Sequence, residues 1–271
     1  MRHFSKSIKL LVLTTVIGAL AGAAISHFMH PRWLASVTVQ IGQISAPQIN
    51  GVVTRPIENQ ANAIVRYNLP SFRMGVVNDL GLPAPEDDGP RSRIIFDTMQ
   101  ASAAKSPDLI NLQVSAYSRE EATAALVSSV KAFSAAHQKM FEPTVSDMKR
   151  DLDTASAKLA QAQQDYAHAQ DTIRTSTGNS NVAAINTSRD VLVTNMATLI
   201  NEQVLNLQQQ TLLLQQALSP MLTYPTRVVG ALYVPNRPNT PSTAALIAAG
   251  AVLGLVAGAA FVAARASSQR D

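Results

Sequence analysis

The chain has 271 residues, room for one sizeable domain or two small ones, and only 15% of them are charged against about 25% in an ordinary soluble protein. The net charge of +4 includes no Lys/Arg run of the kind that grips a nucleic-acid backbone. Cysteine is absent, which excludes both a disulfide framework and a thiolate metal site.

The charge deficit lies in two segments, one near each end. Residues 1–9 carry Arg2, Lys6 and Lys9 and lead into an apolar run that predicts a first transmembrane helix over residues 10–30. A basic start, an apolar stretch and small residues (Ala19, Ala21, Ala23) also describe a secretory signal peptide, but the uncharged run continues past Ala23 through Met29 and favours a retained anchor. Residues 243–264 are again uncharged and apolar on every face, and 22 residues rise about 33 Å as a helix, which matches a hydrocarbon core of about 30 Å. Arg265 and Arg270 follow in the tail, residues 265–271. Basic residues before the first span and after the second put both termini in the cytoplasm; only Arg32 and Arg237 compete from the outer flanks. Residues 31–242 are then expected outside, in the periplasm of a cell whose bacterial inner membrane holds the chain. Gly250, Gly254 and Gly258 recur every fourth residue, and Gly18 with Gly22 repeats the spacing once, which lets helix backbones approach closely.

Within the outer domain, Trp33, Ala35, Val37, Val39 and Ile41 alternate with Leu34, Ser36, Thr38, Gln40 and Gly42, predicting a strand close to the membrane. A turn-prone stretch around Pro47 and Gly51 follows, then a mostly helical segment over residues 57–80 broken near Pro70, then a loop over 81–90 with a solvated Glu86-Asp87-Asp88 run. Ile110, Leu112, Val114 and Ala116 alternate again as a second strand. Residues 31–117 make up the first part of an α/β base. Ser118 with Glu121 three residues on reads as a capping box that opens a long helix. Leu126, Val130, Phe133, His137, Phe141, Val145, Met148, Leu152, Ala155, Leu159, Ala162, Tyr166, Ala169 and Ile173 recur at spacings of four and three, a heptad seam. Pro143 lies off that stripe and predicts a kink rather than a break.

The seam fades at a polar tip near residues 175–188 and resumes with Val193, Met196, Ile200, Val204, Leu207, Thr211, Leu214 and Leu218. Two amphipathic arms joined by a polar tip predict an antiparallel helical hairpin over residues 118–219, its first arm reaching about 80 Å, with glutamine-rich outer faces. Residues 220–234, with Val228, Val229, Leu232 and Val234, are expected to return to the base as a third strand. Pro235, Pro238 and Pro241 follow in residues 235–242 at strict spacing three, so in a polyproline II conformation their rings line one side of a stiff rod just before the second span. The fold class is thus an α+β membrane protein, two transmembrane helices flanking a periplasmic α/β base that carries a long helical hairpin.

No nucleophile elbow, paired-histidine spacing or glycine-rich phosphate loop is present, and His3, His27, His30, His137 and His168 are scattered. A non-enzyme is expected, with no catalytic residue, cofactor or metal site. The strand that ends in Ala-Leu-Tyr-Val-Pro-Asn-Arg-Pro-Asn-Thr-Pro and runs into a glycine-bearing span resembles the polysaccharide co-polymerases, the Wzz-type chain-length determinants. The first strand, the second strand with Ser118-Arg119-Glu120-Glu121-Ala122, and the helical pair extend the resemblance over nearly the whole chain. It implies a homo-oligomer that sets the length of O-antigen, exopolysaccharide or capsule chains, with a membrane-embedded polymerase and the growing lipid-linked glycan as partners and no nucleic acid. No P-loop motif or tyrosine-rich tail follows the second span, so the version with a fused cytoplasmic kinase is not expected. An inner-membrane adaptor for polysaccharide export shares the two-span, hairpin design and is the alternative; a two-span sensor needs an output module that the tail does not supply.

Overall fold

The computed structural model describes residues 2–87, 89–177 and 183–267, with side chains over 11–87, 89–175 and 191–261. Helix α1 (Arg2–Phe28) leads to strand β1 (Trp33–Gln40), the hairpin β2 (Gln43–Gln48) and β3 (Gly51–Pro56), helices α2 (Gln60–Asn68), α3 (Pro70–Asp79) and α4 (Pro90–Thr98), and strands β4 (Gln100–Ala103) and β5 (Leu109–Ala116). Two long helices follow, α5 (Arg119–Thr177) and α6 (Ala183–Ala217), then the short strand β6 (Arg227–Val228) and helix α7 (Thr243–Ser267). The polar tip is shorter than the expected 175–188, because α5 runs through Thr177 and α6 starts at Ala183; residues 178–182 between them lie outside the described residues, as do the end of the tail and the side chains of Arg2, Lys6, Lys9, Arg265 and Arg270.

Strands β4, β5, β1 and β6 form an antiparallel sheet in that order, with Trp33 opposite Ala116 and Gln40 opposite Leu109. Its inner face is Ala35, Val37, Val39, Ile110, Leu112 and Val114, all buried, while Ser36, Thr38, Gln40, Asn111, Gln113 and Ser115 face the other way. This is the alternation expected of a sheet with one covered face. The cover is the first turns of α5 with α2, α3 and α4; Ala122, Ala125, Leu126 and Phe133 of α5 join the same core as Tyr67, Val76, Val77, Ile94 and Ile95. Tyr67, Phe72 and Phe133 stack edge-on or tilted with centroids 4.9–6.4 Å apart, and the Tyr67 hydroxyl donates to Ser129 Oγ at 2.8 Å. Burial pushes the Tyr67 phenol up to about 12, so it stays neutral and donating.

Three sequence expectations are corrected. The turn-prone stretch around Pro47 and Gly51 is a β-hairpin turning at Ile49 and Asn50, with Gly51 at φ +134°. The third strand is not continuous: only Arg227 and Val228 pair with β1, Gly230 at φ +114° breaks the ladder, and the chain rejoins through Ser36–Tyr233 hydrogen bonds of 2.9 Å. Met196 lies 58% exposed, and Ala197 takes the buried position in its place.

Ser118 Oγ accepts from the Glu121 N–H at 3.0 Å and caps α5. The Glu121 carboxylate pairs with Arg91 of α4 rather than turning back to Ser118, so the cap ties α5 to its neighbour. Pro143 is exposed inside a helix assigned without interruption over 59 residues, a length of about 88 Å. Its missing N–H is on the solvated side, where water can serve the freed carbonyl.

Candidate functional site

Two junctions organise the molecule: one where the apolar helices meet the base, and one where the long hairpin leaves it.

At the first, α1 and α7 pack antiparallel. A Cβ on Gly18 would collide with the Gly250 carbonyl oxygen and lie 3.0 Å from Gly254 Cα; one on Gly22 would strike the Leu246 carbonyl. In return, Gly250 abuts the Gly18 carbonyl, Gly254 the Thr14 carbonyl and Gly258 the Thr14 hydroxyl. Four of the glycines singled out in the sequence, Gly18, Gly22, Gly250 and Gly254, therefore pack backbone to backbone within the chain at a distance only Gly permits, while Gly258 lies against the Thr14 and Leu11 side chains. Thr14 and Ser26 continue the every-fourth-residue spacing on α1, and Ser26 Oγ donates to Thr243 Oγ1 at 2.9 Å. Sequence reading looked only for glycine and missed these two hydroxyls. Leu11–Phe28 and Thr243–Phe261 have mean hydropathies of 1.8 and 2.2, long and apolar enough to cross a membrane. Antiparallel pairing puts the start of α1 and the end of α7 at the same end of this two-helix unit.

The proline segment begins where the α7 end of the pair meets the sheet. Val234 is buried and Pro235 half-buried, whereas Pro238 and Pro241 are exposed and line a cavity of about 340 Å³ with Ser26, Met29, Pro31 and Arg237. The Asn239 N–H donates to the Arg32 carbonyl at 2.6 Å, joining the segment to the chain that leaves α1. Ser242 Oγ accepts from the Ala245 N–H at 3.2 Å and caps α7. The prolines thus set a short, donor-poor strap between the sheet and the second apolar helix.

At the second junction, α6 ends against β2. Ser45 donates from N–H to Thr223 Oγ1 at 2.9 Å and from Oγ to the Leu222 carbonyl at 2.8 Å, while Gln43 and Tyr224 exchange backbone hydrogen bonds. His137 of α5 sits in this root with no exposed surface, its ring 4.3 Å from that of Phe133. The Thr226 hydroxyl accepts from the Gly42 N–H at 2.8 Å, which leaves its proton for His137 Nδ1 at 2.5 Å; Nε2–H then donates to Glu58 Oε2 at 3.1 Å. Glu58 also receives Arg66 through Nε and Nη2 at 3.0 Å. Burial pushes the His137 ring below its ordinary value, with Glu58 opposing only in part. Burial pushes the Glu58 carboxyl up, but the hydrogen bonds from Arg66 and His137 outweigh it and hold the group low. The resulting pattern is a neutral imidazole linking α5, the entry to α2 and the returning chain. A Cβ on Gly42 would lie 2.7 Å from Thr226 N, so the close approach needs glycine.

Beyond the root, α5 and α6 pack along a seam. Ala162, Val204 and Leu207 are buried with Leu159 and Ile200 against them, Leu214 is buried, and Leu152 and Tyr166 are half-buried. The opposite face of α6 is also apolar. Val191, Leu205 and Leu212 share one heptad position and Leu192 and Leu199 the next, each 56–70% exposed. At about 100° per residue these two positions lie about 100–155° round the helix from Val204 and Leu207 and so bracket the side away from the seam. His168 is exposed on α5.

No family model matches the chain, and no curated protein matches its sequence. Among solved structures it is similar to a full-length bacterial polysaccharide co-polymerase, at 10% identity and TM-score 0.36 over 97% of this chain and 94% of that one. It is also similar to the A107P mutant of the Shigella flexneri lipopolysaccharide O-antigen chain-length regulator WzzBSF, at 10% identity and TM-score 0.25 over 77% of this chain and 100% of that one.

Proposed function

We propose that this protein is a non-enzymatic regulator of surface-polysaccharide chain length, a homo-oligomer anchored in a bacterial inner membrane by α1 and α7 with both termini in the cytoplasm. The observation that carries the reading is the architecture itself. Two closely packed apolar helices sit under an α/β base, a proline strap follows the sheet into the second of them, and a stiff helical hairpin leaves the base at a braced root. Arg2, Lys6 and Lys9 before the apolar stretch of α1, and Arg265 and Arg270 after that of α7, support the cytoplasmic placement of the ends. The second apolar face of α6, on the side away from the intramolecular seam, suits a neighbouring copy of the same chain. Side-by-side hairpins would present their glutamine-rich faces to a growing glycan, and the base would hold them beside a polymerase in the same membrane.

Affinity purification of the tagged full chain tests the partnership. A membrane polymerase should come with it; recovery of a transporter instead would support the export-adaptor alternative. Replacing Pro235, Pro238 and Pro241 together with Ala should leave the chain inserted and folded but shift the glycan ladder. A normal ladder from well-expressed variant would reduce the segment to a linker.

A further inference from the structure

A cavity of about 460 Å³ lies beside the chain that leaves α1, lined by Arg32, Pro90, Arg93, Ile94, Asp97, Thr98 and Tyr117. Its level along the molecule is set by its neighbours. Arg32 follows the end of α1 at Phe28 by four residues, Tyr117 follows Ala116, which is opposite Trp33, and the His30 ring lies 5.5 Å from that of Tyr117. The cavity therefore opens where an apolar helix ends and the polar base begins, the depth of lipid headgroups for a chain that spans a membrane.

Its charge is unbalanced. Two guanidinium groups face one carboxylate, and among the described residues neither Arg32 nor Arg93 is in an ion pair, although Arg93 and Asp97 are one turn apart on α4. Arg91, two residues before Arg93 on α4, is by contrast paired with Glu121. Arginine on the outer flank of a span runs against the usual charge bias, so a compensating anion has something to offset. A planar guanidinium fork matches phosphate oxygens in two-point hydrogen bonds, and Tyr117 in the lining carries a hydroxyl as a further donor.

We propose that the cavity bounded by Arg32, Arg93 and Tyr117 holds the phosphate group of an anionic lipid headgroup in the outer leaflet. The site rests on the two-span topology proposed above and not on control of glycan length, so either can fail alone. Asp97 works against the anion and keeps binding reversible.

The test is native mass spectrometry of the detergent-solubilised full chain titrated with phosphatidylglycerol, with phosphatidylcholine, and with inorganic phosphate as competitor. Phosphatidylglycerol should be retained over phosphatidylcholine, and R32Q with R93Q should lower its retention by about tenfold. K149Q with R150Q, an equal charge loss on the hairpin, should leave retention unchanged. Equal retention of the two lipids, or no loss in the arginine double variant, would overturn the site. Displacement by inorganic phosphate at the lipid's own concentration would assign the cavity to a soluble phosphate and overturn the lipid assignment. Should the double variant fail to insert, D97N decides: tighter phosphatidylglycerol binding supports the site, and unchanged or weaker binding refutes it.

Discussion

The brace at the hairpin root makes a prediction whose size follows from its geometry. His137→Ala removes a ring that has no exposed surface and two hydrogen bonds, to Thr226 and Glu58. Truncating a large buried side chain to Ala costs about 2–5 kcal/mol, and each buried hydrogen bond contributes about 1 kcal/mol net, so the variant should lose roughly 3–5 kcal/mol. Glu58 keeps Arg66 as its partner, which spares the larger cost of an orphaned buried charge. His137→Leu keeps most of the volume and loses only the hydrogen bonds, so it should cost about 1–3 kcal/mol. Denaturant titration of the solubilised chain can follow this through Trp33, the single tryptophan, which lies in β1. The pH dependence has a definite sign. His137 binds its proton less readily when folded than at its ordinary 6.5, so its contribution is intact above pH 6.5 and falls as the pH drops below it. Glu58 acts in a lower window, its contribution present above its ordinary 4.5 and lost as the pH falls through its depressed value. Wild type should therefore weaken between pH 7 and 5, and His137→Leu should be flatter there. A His137→Ala variant as stable as wild type, or a wild type that gains stability on acidification, would refute the brace.

Two further perturbations address the interfaces. Gly250→Leu should force α1 and α7 apart, because even a Cβ there meets the Gly18 carbonyl. In this cysteine-free chain, Ser26→Cys with Thr243→Cys should cross-link readily, and adding Gly250→Leu should cut the yield severalfold; undiminished cross-linking would contradict the packing. Leu205→Gln with Leu212→Gln, both on the outward face of α6, should dissociate the proposed homo-oligomer while leaving helicity intact, as light scattering and circular dichroism would record. An assembly of unchanged mass would remove that face from the interface.

Much of the architecture is written in periodicity. The alternation in β1 and β5 and the four-three spacing along α5 reflect surfaces that pack continuously, so each residue repeats the same message. The elements that escaped are short or interrupted. Pro47 disguises β2, a strand tolerable there because its hairpin is only two strands wide and open at the edge. Helix α4 and strand β4 span 9 and 4 residues, too few for a period to emerge. Gly230 breaks the returning strand through its backbone, which hydropathy does not register. At position 197 a small alanine fills the seam better than the neighbouring Met196 because the helices are close, information that belongs to the partner helix. The root brace is the least legible feature. His137 follows the seam spacing like any core residue, and its partners lie 79 residues upstream and 89 downstream. The glycine rows were visible as spacing, but only the facing backbones reveal that α1 and α7 of one chain pair with each other.

Deleting the chain and resolving the surface glycan on a gel tests the central claim most directly. The account predicts that the preferred length class collapses into a featureless distribution and returns when the full chain is restored. A ladder with its preferred length unchanged in the deletion strain would contradict it.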